Sequence, residues 1–307
     1  VLIVRTVAEL RDALRRPRRD EQRIGLVPTM GALHDGHLSL LHHARGACDT
    51  VVMSLFVNPR QFNEAGDLAG YPRNEARDIE LAAAAGVDVL FAPSPEDVYP
   101  PGFATTVSVA GPGEGLEADH RGRGHFDGVA TVVCKLLNMV CPAVAYFGAK
   151  DVQQAAVVRR LVRDLDMDVE IEERPTVRER DGLAMSSRNA LLSPGERARA
   201  TALHAGLAAV RDAVHDGEQD PAAAAAAGLP ALTAAGVELD YLTVVDPVTM
   251  APLRRIDRDA LAVVAARLGA VRLIDNLAVS PRPRPDTDRA AARPERGVAT
   301  PTGASTA

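Results

Sequence analysis

Apolar positions along this chain come in short blocks rather than in one long run. Residues 24–28 (IGLVP), 50–57 (TVVMSLFV), 87–93 (VDVLFAP), 143–148 (AVAYFG) and 168–173 (DVEIEE) have the length and texture of strands. Between them, helical spacing runs from Asp35 to Ala47, from Asn74 to Ala85 with Gly86 as a stop, from Phe126 to Val140, and from Asp151 to Leu165. Thr6-Val-Ala-Glu9 has the spacing of a capping box and opens a short helix through Arg16, after which RRPRRDEQR reads as a polar turn. Strands alternating with helices predict an α/β fold, a parallel sheet with helices on both faces, over residues 1–176. Beyond Pro175 the texture changes. Ser193-Pro-Gly-Glu196 is a second capping box and starts a long Ala/Arg helix to His215, followed by an Ala-rich helix over 221–235. VELDYLTVVD, LAVVAARLG and VRLIDNLAV then read as a small antiparallel sheet, so 177–279 is a second, smaller α+β domain. From 280 to 307 the chain is Pro-, Arg- and Ala-rich with almost no core-forming residues, and a disordered tail is expected.

Composition narrows the function classes. The 307 residues are 47% hydrophobic and 25% charged, with a net charge of −6, so no basic field is present to attract nucleic acid. No apolar stretch approaches the roughly 18 residues of a membrane span, and the first apolar run ends at Arg5, too short for a signal segment. Cys48, Cys134 and Cys141 form no CxxC pair; Cys134 and Cys141 fall on one helical face and read as buried structural thiols. A soluble, cytoplasmic protein is the expectation. Lysine occurs only at Lys135 and Lys150, while arginine supplies the other 33 basic residues. A lysine that persists in such a chain points to a need for a compact ammonium; for Lys135, on an apolar helix, chance suffices, whereas Lys150 follows a strand.

Three segments carry candidate chemistry. Met30-Gly31-Ala32-Leu33-His34-Asp35-Gly36-His37 joins the first buried strand to a helix, and His-x-Gly-His places two imidazoles at that helix N-terminus, where free N–H groups favour a phosphate. Gly31 and Gly36 would let backbone approach a ligand. The competing reading is a metal pair extended by His42 and His43. HExxH is absent and those two histidines point elsewhere, which favours phosphate contact, with His42 and His43 as surface residues. Gly148-Ala149-Lys150-Asp151 again ends a strand and opens a helix: Lys150 suits a polyphosphate, Asp151 a helix cap or a ribose hydroxyl, and Gln154 lies one turn on. Met185-Ser186-Ser187-Arg188 sets two hydroxyls beside a guanidinium, suited to clamping phosphate oxygens.

HxGH followed by a basic Ser-rich loop resembles the nucleotidyltransferase superfamily. VPTMGALHDGH, SLFVNPRQFNEAGDLAGYPR, GHFDGVATVVCKLLNMV, FGAKDVQQ, PTVRERDGLAMSSRN and RLIDNL narrow the resemblance to the pantothenate synthetase (pantoate–β-alanine ligase) family, from about residue 3 to residue 279. The resemblance implies a Rossmann-like fold and an ATP-dependent condensation of (R)-pantoate with β-alanine through a pantoyl-adenylate. It also implies Mg2+ carried on the ATP phosphates, no dedicated metal site, and a homodimer. It assigns residues 30–37, 148–151, Val177 and 185–188 to ATP, with His37, His34 and Lys150 catalytic and His37 the proton donor. Gln61 and Gln154 would hold pantoate and β-alanine, in a pocket shaped by Asn58 and Tyr71. Departures from the family pattern are Arg121-Gly-Arg123-Gly-His-Phe in place of an RPGHF-type run, Ala149 in place of an acid, and Val152 in place of an aromatic. The nearest rivals are another adenylyl- or cytidylyltransferase of the superfamily and a non-catalytic ATP-binding protein.

Overall fold

A computed structural model describes residues 1–63, 65–122 and 124–281, with only the backbone described at 65 and 67. Arg123 and the expected tail from residue 282 onward lie outside the described residues. In chain order the first half comprises β1 (Leu2–Val4), α1 (Val7–Ala13), α2 (Arg15–Arg19), β2 (Ile24–Thr29), α3 (Asp35–Ala47), β3 (Thr50–Leu55), α4 (Ala65–Gly70), α5 (Glu75–Ala84) and β4 (Val89–Phe91). It continues through α6 (Pro95–Val98), α7 (Glu117–Arg121), α8 (Gly124–Val140), β5 (Val144–Gly148), α9 (Val152–Asp164) and β6 (Glu170–Arg174). The six strands form one parallel sheet in the order β1-β4-β3-β2-β5-β6. Chain direction across the sheet reverses between β2 and β5, which pair directly at Gly25–Val144 and Leu26–Ala145. Their carboxyl ends therefore open one crevice, the place where open α/β sheets bind ligands.

The apolar runs are uninterrupted because both faces of the sheet are buried. Leu26, Val52, Phe91 and Phe147 pack with Leu10 of α1, Leu14 at the junction of α1 and α2, Phe126 and Leu137 of α8 and Leu161 of α9. Their strand neighbours Val27, Met53, Leu90 and Tyr146 point the other way, onto Leu41 and Ala44 of α3 and Ala82 of α5. The capping box at Thr6 and Glu9 forms as read.

The second half holds α10 (Pro194–Ala200), α11 (Ala202–His215), α12 (Pro221–Ala234), β7 (Glu238–Val245), β8 (Ala260–Leu268) and β9 (Val271–Val279). The three strands are antiparallel in the order β7-β8-β9, and α11 packs Leu203, Leu207 and Val210 onto them around a separate apolar core.

Three expectations need correction. RRPRR is helix, not turn: Pro17 sits in the first turn of α2, where its missing N–H goes unused, and Arg18 donates to Met139 O and Val140 O at 3.0 and 2.9 Å, capping the end of α8. The single long helix to His215 is two, because the Thr201 hydroxyl bonds back to Ala198 O at 2.9 Å and breaks the run. Cys134 and Cys141 are not a buried pair: α8 ends at Val140, and Cys141, at φ +45°, turns out to the surface while Cys134 is half-buried. The Lys135 ammonium lies 4.6 Å from the Phe103 ring centre and 5.9 Å from that of Tyr99, beside the Arg60 guanidinium at 5.3 and 5.4 Å from the same rings, so nothing there demands a lysine.

Candidate active site

The crevice between β2 and β5 widens into a cleft that reaches the C-terminal sheet. Met30, His34, Gly36, His37, Asn58, Gln61, Tyr71, Gly148, Lys150, Asp151, Gln154, Val177, Met185, Ser186, Ser187 and Arg188 all line it. Five predicted residues do not. Gly31 (φ +88°) and Ala32 (φ +51°) turn the chain out of β2, and Leu33 is buried beneath. Asp35 is exposed outside the cleft, in the first turn of α3. Ala149 spends its carbonyl on Asn276 Nδ2, at 2.8 Å. The fold itself requires both glycines: a Cβ at Gly31 would fall 2.7 Å from Leu55 Cδ1, and one at Gly36 would strike the His34 ring at 2.8 Å.

His34 caps α3. Its Nδ1 accepts the Gly36 N–H at 3.1 Å, and the His37 Nδ1 accepts the His34 N–H at 3.4 Å. A neutral imidazole that accepts at Nδ1 carries its proton on Nε2. Both rings, 4.1 Å apart, thus present an Nε2–H donor. Burial, with His34 alongside, lowers the pKa of His37 to about 3, and burial followed by the Lys150 charge lowers that of His34. At neutral pH these are uncharged hydrogen-bond donors.

Lys150 Nζ stands 3.8 Å from Asp151 Oδ1. Asp151 occupies the cap position of α9, yet its side chain makes no capping bond, so the plain helix-cap reading is not realised. The Ser187 hydroxyl donates to Ala32 O at 3.1 Å, tying the Ser-Ser-Arg loop to the histidine loop, and Met185 N–H bonds Val177 O at 3.0 Å.

Gln61 is oriented by a chain of unambiguous partners. Asn58, 1% exposed, accepts from Tyr99 Oη (2.8 Å) and from the Arg60 N–H, and donates to Gly128 O (3.1 Å). Its remaining N–H goes to Gln61 Oε1 at 3.0 Å, which leaves the Gln61 amino group facing Met30 Sδ at 3.1 Å. Asn58 therefore positions Gln61, and Gln61 offers the cleft a donor. His125 holds the same turn, with Nδ1–H donating to Gln61 O at 2.8 Å.

Several residues that shape the cleft escaped the sequence reading. Asp78, buried on α5, accepts from Ala32 N–H and Leu33 N–H at 2.9 and 2.8 Å and pins the histidine loop. On β9, Asn276 grips Ala149 O and Lys150 O, while Asp275 accepts a bidentate Arg178 at 2.6 and 3.0 Å. Arg272 forks onto Glu117 at 2.6 and 2.7 Å, and Tyr241 donates to Glu117 at 2.8 Å. Despite burial, the Arg272 and Arg121 guanidiniums hold the Glu117 carboxyl down to about 2. The RLIDNL block was visible as a signal; which turn each of its side chains would hold was not. Val152, the departure from an aromatic, packs beside Met250 and Val263 where the two sheets meet.

Known proteins resemble this chain along most of its length. The family model for pantoate-beta-alanine ligase matches residues 2–278. The pantothenate synthetase of Cereibacter sphaeroides is 52% identical over 277 residues, covering 90% of this chain and 99% of that protein, and that of Heliobacterium modesticaldum is 48% identical over 278 residues, with the same coverage. Among solved structures, pantothenate synthetase from Thermus thermophilus superposes with a TM-score of 0.86 at 50% identity, covering 92% of this chain and 100% of that one. The Francisella tularensis pantoate-beta-alanine ligase, complexed with beta-gamma ATP and beta-alanine, does so at 0.75 and 33% identity, covering 90% and 97%. With the family model spanning both sheets and half the residues shared with full-length relatives, the chain belongs to the pantoate–β-alanine ligase family, amide-forming enzymes that make pantothenate with ATP.

Proposed function

We propose that this cleft joins (R)-pantoate to β-alanine in two steps through a pantoyl-adenylate. In the first, a pantoate carboxylate oxygen attacks the α-phosphorus of ATP, and the bond to the β-phosphate oxygen breaks, releasing pyrophosphate. In the second, the β-alanine amine attacks the acyl carbon, AMP leaves with the bonding pair, and the amine loses a proton. The observation that carries this reading is the meeting of two neutral Nε2–H imidazoles and Lys150 with the Gln61 amide in one cleft.

His34 and His37 donate to triphosphate oxygens as charge moves onto pyrophosphate. Neutral donors suit this role, since they need not be deprotonated before use. Burial holds the His37 pKa at about 3, so at neutral pH it serves as a hydrogen-bond donor. Lys150 supplies the positive charge, Met185–Arg188 closes over the phosphates from the C-terminal side, and the backbone of Val177 serves adenine. Gln61 and Gln154 hold pantoate through neutral amides, because a tight ion pair would blunt its nucleophilicity, and Tyr71, edge-on to Phe62 at 5.7 Å, walls that end. Mg2+, when carried by the nucleotide, would be held by the phosphates rather than by this chain's side chains and would supply charge neutralisation beside Lys150. Among the described residues no group of three His, Cys, Asp or Glu forms a metal site of its own.

Residues 1–176 act as the nucleotide-binding domain and 177–279 as a lid. A cytoplasmic homodimer is proposed on the family resemblance, and light scattering tests the assembly. Among the described residues no helix is long and apolar enough to cross a membrane.

The test is ATP–pyrophosphate exchange with pantoate present and β-alanine omitted. Pantoate-dependent exchange is expected, and His37→Ala lowers it at least about a hundredfold. Exchange independent of pantoate, or a His37→Ala rate within a few-fold of wild type, contradicts the mechanism.

A further inference from the structure

We propose that Arg121 binds the carboxylate of the amine substrate and thereby selects an amino acid, rather than a simple amine, as acyl acceptor. The proposal rests on the ligase reading above and extends it to a subsite for the acceptor.

Three basic side chains of lysine or arginine line the cleft among the described residues: Lys150, Arg188 and Arg121. Lys150 and Arg188 lie on the turns that flank the histidine loop, on the triphosphate side. Arg121 ends α7, which stands elsewhere. The Glu117 N–H at the start of α7 bonds Gln153 Oε1 at 3.0 Å, so the helix is docked on the first turn of α9, beside Gln154.

Arg121 is held but not consumed. Its Nε donates to Glu117 Oε2 at 2.8 Å, and its two terminal nitrogens have no partner among the described residues, although the side chain is only 22% exposed. Glu117 does not cancel its charge, because Arg272 already forks onto both Glu117 oxygens. In the wider cluster the carboxylates of Glu117 and Asp240 face three guanidiniums, those of Arg121, Arg272 and Arg267. One positive charge is left over, and Arg121 presents it to the cleft.

The reaction says which anion that charge suits. The pantoate carboxylate is the nucleophile of the first step and ceases to be an anion once adenylated, so a strong ion pair there would stabilise the ground state and slow attack. The β-alanine carboxylate is a spectator, ionised before, during and after amide formation. A guanidinium fork can hold it throughout and aim the amine two carbons away. A cation near that amine also favours its neutral, nucleophilic form.

The experiment compares wild type, Arg121→Gln and Arg121→Lys in two assays: pyrophosphate exchange without β-alanine, and pantothenate formation with β-alanine or its uncharged analogue 3-aminopropanamide. In Arg121→Gln the KM for β-alanine is expected to rise at least about tenfold more than the pantoate KM from exchange. The preference for β-alanine over the amide should fall by a similar factor, and Arg121→Lys should recover part of both. A β-alanine KM that follows the pantoate KM, or an unaltered preference between the two amines, overturns the assignment. Wild type without pantoate-dependent exchange would overturn the ligase reading itself, and this is seen before any variant is compared.

Discussion

Replacing Asp78 with alanine should damage both the fold and the chemistry, although Asp78 belongs to α5 and does not line the cleft. Its carboxylate, 2% exposed, accepts from the Ala32 and Leu33 N–H groups at 2.9 and 2.8 Å. Those two amides belong to a turn whose φ values at Gly31 and Ala32 are +88° and +51°, so neither can join a strand or a helix ladder. Stranding one buried donor costs about 1–3 kcal/mol; Leu33 is buried and Ala32 half-buried, so the loss lies between one and two such penalties, roughly 2–5 kcal/mol. That is a large share of a native stability of about 5–15 kcal/mol. Asp78→Asn keeps one acceptor oxygen but turns an amino group toward the second N–H, so it should recover only part of the loss. Urea denaturation gives the stability directly, with an unchanged m-value marking the loss as native-state destabilisation. Pyrophosphate exchange, run below the melting transition, should fall at least about tenfold, because the turn sets where Met30 and His34 sit. An Asp78→Ala protein within about 0.5 kcal/mol of wild type, with normal exchange, would refute the argument that this carboxylate holds the loop.

Two further predictions concern the turn that bears Gln61. In Gly128→Ala the new Cβ would sit 2.3 Å from Arg60 O and 2.7 Å from Gln61 N, both backbone atoms; a destabilisation of about 1–3 kcal/mol and a raised pantoate KM are expected, and normal values for both would contradict the close packing. Burial and then the Arg121 charge lower the pKa of His125 to about 4, so between about pH 6.5 and 4 the unfolded chain takes up a proton that the folded one does not. Stability should therefore fall as pH drops through that window, by up to about 3 kcal/mol from this residue, and His125→Gln should flatten the slope; an equal slope in both proteins would exclude His125 as its source.

The alternation of apolar runs and helical stretches made the parallel sheet legible, because a sheet buried on both faces needs continuous Val, Leu and Ala in its strands. The same pattern put residues 30–37 and 148–151 at strand ends, which is where the cleft opens. Local signals sufficed for these. Asp78 was invisible because it reads as one more polar residue on an amphipathic helix, and its partners lie more than forty positions away in sequence. Arg272, Asp275 and Asn276 were legible only as members of a strand, and their targets became definite only once the two sheets met. A second reason for Gly36 was equally hidden: the ring of His34, two residues earlier, fills the space that a side chain there would need.

The bonds that run from Asn276 to Ala149 and Lys150, and from Ser187 to Ala32, also bear on how the gene could be cut. A fragment ending after β6 would keep the whole parallel sheet and both signature turns, yet it would lack the strand that holds the lysine turn and the loop that ties down the histidine turn. Such a half would be a foldable scaffold with a slack nucleotide site rather than a minimal ATP-binding module. Recombining halves from different relatives would meet the same obstacle, since β9 of one parent would have to match the turns of another.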